Sequence, residues 1–138
     1  MTPKELKQHI SGHGFQVFRT LGHRLVLADR VRENLIMDSG VSVDCRPPHR
    51  VRVVVRAQAR DYPDESAEQL FRRAREFAKS ALGNAYQEVE AAVVEVDDPS
   101  GSQEILDTWY QVSFEKAGLQ TAVLADELRH ALSLKKLA

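Results

Sequence analysis

From His49 to Asp61 the chain alternates. Val51, Val53, Val55, Ala57 and Ala59 fall on one parity, and Arg50, Arg52, Val54, Arg56, Gln58 and Arg60 on the other. A period of two belongs to a strand with one buried and one wet face, so this stretch predicts a strand whose valines look into a core. The segments FQVFRT (15–20) and HRLVLAD (23–29) predict a hairpin turning at Leu21-Gly22. Residues 30–44 fit two patterns: Val31 and Leu35 suit a helical stripe, whereas NLIM and VSV around Asp38-Ser39-Gly40 suit two strands and a turn, the preferred reading. Pro47-Pro48 interrupts regular structure before the alternating strand, because proline has no N–H to give a ladder. Residues 87–96 and 105–117 predict a second hairpin, joined by the turn-forming run DDPSGS.

Three helices complete the pattern. Thr2, Pro3 and Glu5 make a capping box with proline at the first helical position; Leu6 and Ile10 then share a face, and Gly12 and Gly14 end the element. Pro63 and Asp64 open the strongest stripe, Ala67, Leu70, Phe71, Ala74, Phe77, Ala78, Ala81 and Leu82, which Gly83-Asn84 stops. A last helix is expected from Gly118 to Leu137, capped by Thr121, with Leu124, Leu128, Ala131, Leu132 and Lys135 in register. Hairpins interleaved with helices predict an α+β fold. The expectation is a single domain over residues 1–138, with one twisted, mainly antiparallel sheet of about five strands and helices packed on one face.

This order, α-β-β-β-α-β-β-α, resembles the type III secretion chaperone superfamily, including the YbjN-like family of bacterial sensory or regulatory domains. The resemblance spans nearly the whole chain through LKQHISGHGFQVFR, AEQLFRRAREFAKSALGNAY and YQVSFEKAGLQTAVLADEL, which are similar to its opening helix and strand, central helix, and last strand with its helix. It implies a homodimer that binds protein and performs no chemistry.

Composition narrows the alternatives. With 138 residues the chain is long enough to bury a core without staples. The formal net charge is -1 and charged residues make up 28%, so no basic excess points to general nucleic-acid binding. The one cysteine, Cys45, excludes an internal disulfide and suits a reducing compartment. No apolar run approaches the roughly 20 residues needed to cross a bilayer, and the N-terminus lacks the apolar stretch of a signal peptide. A cytoplasmic protein with no membrane association is expected.

Candidate chemistry is thin. No phosphate-binding glycine loop, dinucleotide motif or nucleophile elbow occurs, and no cofactor is expected. His9 and His13 have the four-residue spacing of paired metal ligands, but Gly12 lies between them where the helix should end. Cys45 and His49 bracket a diproline loop and lack an orienting third group. Asp97-Asp98 suit a turn, and Glu88 and Glu90 the wet face of a strand.

Trp109 is the most informative side chain. Strand periodicity puts it with Asp107 and Gln111 on the polar face, where tryptophan anchors interfaces. The arginines have three readings: a solvated ladder paired with Glu88, Glu90, Glu95, Asp107 and Glu115; a partner-facing surface that includes Arg52 and Arg56; or a phosphate track formed by Arg50, Arg52, Arg56 and Arg60. The expected function is a non-enzymatic, chaperone-like or regulatory protein-binding homodimer. The alternative is a nucleic-acid-binding regulator that uses the arginine strand.

Overall fold

A computed structural model describes residues 1–102 and 104–134, with Val31 described by its backbone alone; the expected helical position of Lys135 lies outside the described residues. Six strands form one sheet in the order β1-β2-β3-β4-β6-β5, and three α-helices accompany them, so the fold is α+β. One strand more is present than the sequence pattern predicts. The chain divides into two compact units, residues 1–53 with 115–134, and residues 54–114.

In the first unit, α1 (Pro3–Ser11) begins as expected: Thr2 Oγ1 accepts the Glu5 N–H and the Glu5 carboxylate accepts the Thr2 N–H. Leu6 and Ile10 are fully buried. The left-handed conformation falls at Gly14 (φ 90°), while Gly12 stays right-handed. Strands β1 (Val17–Leu21) and β2 (Arg24–Arg32) pair antiparallel about Gly22-His23, one residue later than the expected turn.

The ambiguous stretch is one strand, β3 (Leu35–Asp44), preceded by a turn at Glu33-Asn34. Asp38-Ser39-Gly40 does not reverse the chain. It forms a bulge: Val26 pairs with Ser42 but Ala28 with Asp38, so two steps along β2 face four along β3. The residues behave as turn chemistry would have them, since Asp38 accepts the Gly40 N–H, Gly40 takes φ 79°, and the Ser39 hydroxyl donates to the Leu27 carbonyl. A cis Pro47-Pro48 peptide lies between β3 and β4 (His49–Gln58). The valine parity is core, as expected: Val51, Val53, Val55 and Ala57 are all buried. The alternation ends at Gln58, however, and Ala59–Asp61 turn in a short 3-10 helix, so Arg60 does not belong to the strand.

Strand β6 (Ile105–Leu119) passes through Gly118, and the final helix α3 (Thr121–Ser133) buries Leu124, Ala125, Leu128 and Ala131. Thr121 is not its cap. Gln120 occupies that position without a side-chain bond, and the Thr121 hydroxyl instead meets Nε2 of His49 at 2.8 Å. That contact and the Lys116–Glu127 ion pair at 3.0 Å set α3 over the core parity of the first unit's strands.

In the second unit, α2 (Ala67–Leu82) starts after Pro63 and Asp64, not on them, because Ser66 and Gln69 supply a reciprocal capping box. Leu70, Ala74, Ala78 and Leu82 are buried, and Gly83 (φ 71°) ends the helix. Phe71 meets Tyr110 of β6 edge-on at 5.2 Å, and Arg75 grips Glu88 of β5 (Gln87–Asp97) through bonds of 2.8 and 3.1 Å. Even-numbered residues of β5, and of β6 as far as Phe114, therefore look towards α2, and odd-numbered ones look away from it.

Candidate interaction surface

The odd-numbered side of β6 carries Asp107, Trp109 and Gln111, the grouping expected from the alternation. Their neighbour is Arg56 on β4. Its guanidinium lies 3.8 Å from the centroid of the Trp109 ring, and its Nε donates to Gln111 Oε1 at 2.9 Å. Cation and indole face attract through the ring quadrupole, by about 0.5–2 kcal/mol according to exposure. The hydrogen bond to Gln111 holds the plane of the fork. Four residues on from Arg56, the Arg60 N–H bonds to Asp107, four residues back from Gln111, which is the register of an antiparallel pair.

Asp107 is the correction on this face, because it is buried, at 8% exposure, and not wet. Oδ1 accepts the backbone N–H groups of Arg60 and Thr108, at 2.9 and 2.8 Å, while Oδ2 accepts the Trp109 indole N–H at 3.0 Å. A buried carboxylate needs such donors, since desolvation without them costs several kcal/mol. Asp107 thus positions the indole from one side and Arg56 covers it from another. Trp109 itself stays half-buried. On the same parity of β5, Val89, Ala91 and Val93 are exposed, Val89 at 48% and Val93 at 53%.

Arg52 belongs to the first unit and has a different fate. It binds the Glu115 carboxylate with contacts of 2.7 and 2.6 Å, and Arg24 and Arg50 each approach the same carboxylate to 3.9 Å. The Glu115 side chain is only 12% exposed, so one shielded carboxylate sits among three guanidiniums. The ladder reading holds for Arg52, whereas Arg56 stacks on an aromatic ring. Arg60 takes part through its backbone.

The nucleophile candidates resolve differently from expectation. His49 is a fully buried strand residue, not an incidental member of a loop. Its Nδ1–H donates to the Asp44 carbonyl at 2.8 Å, because that oxygen can only accept, and Nε2 is engaged by Thr121. Buried Cys45 has its Sγ 3.9 Å from Nδ1 of His23. The His9 and His13 rings meet edge-on at 5.1 Å; among the described residues no three His, Cys, Asp or Glu side chains gather into a metal site.

The acidic candidates serve structure. Asp98 accepts the Ser100 N–H and the Ser102 hydroxyl, and the Ser100 N–H chiefly holds its carboxyl below the usual range. Glu88 is likewise lowered by its bond to Arg75. No helix among the described residues is long and apolar enough to cross a membrane.

Sequence reasoning named Trp109, Gln111, Arg52 and Arg56 as candidates but did not anticipate the stacking of Arg56 on Trp109, nor the exposed valines of β5. The alternation of residues 87–96 carried the second signal, read only for its acids. No known protein family, curated protein or solved structure matches this chain.

Proposed function

We propose that the chain is a non-enzymatic, chaperone-like or regulatory protein-binding module of the cytoplasm, working as a homodimer. In this reading the helices share the valine side of the sheet, and the face bearing Arg56, Trp109 and Gln111 receives a protein segment. The observation that carries it is a tryptophan held on both flanks, by Asp107 and Arg56, yet still only partly buried on the side away from α2. Tryptophan and arginine dominate interface hot spots, and an anchor already ordered in the free protein loses little entropy on binding. Occupied ring nitrogens on His49 and three donors on Asp107 leave neither group placed for acid-base work. Kinship with the type III secretion chaperone-like and YbjN-like proteins rests on the three sequence stretches that resemble them, since the element order differs by a fourth strand before α2.

The test compares affinity capture by the wild-type chain and by Trp109→Ala, with circular dichroism to establish that both are folded. A protein retained by the first and released at least tenfold more readily by the second is the expected result. Identical capture by both would remove Trp109 from the surface. Binding of a single-stranded oligonucleotide that weakens steeply with salt, and further on removing Arg52 and Arg56 together, would replace this reading with the nucleic-acid one.

A further inference from the structure

Strand β5 ends the sheet, and along its 11 residues it holds neither proline nor glycine. Edges of this kind invite pairing with another chain unless they are short, bulged or blocked. The edge strand β1 is both short, at five residues, and irregular between Val17 and Arg19. β5 is about twice as long, and its side chains facing away from α2 run Gln87, Val89, Ala91, Val93, Glu95.

That order is nearly a palindrome about Ala91: polar, valine, alanine, valine, polar. A two-fold interface demands this property, because every residue must suit the residue that the symmetry places opposite it. We infer that β5 pairs antiparallel with β5 of a second copy across a two-fold axis at Ala91, joining two sheets into one. The inference rests on the homodimer reading above and names its seam. In this register Val89 stands opposite the partner's Val93, and Val93 opposite the partner's Val89, so the two valines exposed on each free chain cover those of the other. Glu95 meets the amide side chain of the partner's Gln87. On the other parity Glu88 meets the partner's Val94 and Glu90 the partner's Ala92. No acid is set directly opposite an acid, even though the strand carries Glu88, Glu90, Glu95 and Asp97. A strand from an unrelated protein would gain nothing from the palindrome, which is why the occupant is a second copy.

Sedimentation velocity on the full chain at micromolar concentration tests the inference. The wild type is expected to be a dimer. Chains carrying Val89→Lys with Val93→Lys, or Val89→Glu with Val93→Glu, place like charges opposite each other and should self-associate more weakly by on the order of tenfold or more, with unchanged circular dichroism. Mixed in equal amounts, the two variants should form a heterodimer, because the register then opposes lysine to glutamate at both sites. Folded variants that remain dimers would leave a homodimer but remove β5 as its seam, and a mixture that stays monomeric would overturn the register. If either variant is unfolded, hydrogen exchange on the wild type decides. Protection of residues 89–95 that rises with protein concentration supports the seam, and concentration-independent exchange overturns it. A monomeric wild type would end this inference, while loss of a partner on Trp109→Ala would still support the binding face.

Discussion

Asp44 and Asp107 show how differently two aspartates serve this chain. Asp107 is enclosed by N–H donors that also place an indole, whereas Asp44 grips Arg46 through contacts of 3.0 and 2.7 Å. The Arg46 guanidinium holds the Asp44 carboxyl down at about 2. Its folded value thus lies below the ordinary aspartate value of 3.8, so the stability it contributes is present above about pH 4 and is lost as the pH falls towards 2. Because Arg46 is largely exposed, the contribution is discounted to roughly 1 kcal/mol. Urea unfolding at pH 4.5, 3.5 and 2.5 should show a decline that is shallower in Asp44→Asn by about that amount. An identical decline would mean that other carboxylates dominate. Neither role was legible in the sequence: Asp44 and Arg46 are two apart beside a diproline, and Asp107 looked wet because parity says which side a residue faces but not what folds over it. The stacking of Arg56 on Trp109 was hidden for a related reason, since it depends on the register between strands whose stacked residues lie 53 positions apart.

At the scale of elements, periodicity was the reliable guide and turn chemistry the ambiguous one. The alternation at 49–58 and the apolar stripe of α2 are long enough to average over single residues, and both became the elements they predicted. Asp38-Ser39-Gly40 has turn residues, yet the same backbone needs arise in a bulge, where glycine supplies the left-handed conformation within a continuing strand. Pro63 misled in a similar way: proline suits the first helical turn, but Ser66 with Gln69 satisfies two orphan N–H groups and so sets the start. Ser66→Ala should therefore destabilise the protein by about 1 kcal/mol, measured by chemical unfolding. Pro63→Ala serves as the contrast. If it costs as much as the serine change, the helix begins where the sequence first suggested. Thr121 is the opposite case, a residue of the right type for a cap that was drawn away by a buried histidine 72 positions distant.

For the whole molecule, the α+β class followed from the order of hairpins and helices, but the sixth strand did not. Residues 30–44, read as two strands and a turn, hold instead one strand, because a bulge breaks the alternation that would have marked it as continuous. The sequence also shows β5 as a strand without saying that it is an edge, because edge position is a property of strand order. If the edge is closed by a second copy, unfolding is linked to dissociation, and raising the protein concentration a hundredfold should raise the melting temperature by several degrees. Calorimetry that finds no change would indicate that the monomer carries the stability alone.

Trp109 is also the only tryptophan in the chain. Its indole is stacked under one cation and bonded to one carboxylate. The protein therefore carries an intrinsic optical label at its candidate binding face: any occupant that displaces Arg56 or wets the ring changes the tryptophan emission, with no second tryptophan to compete.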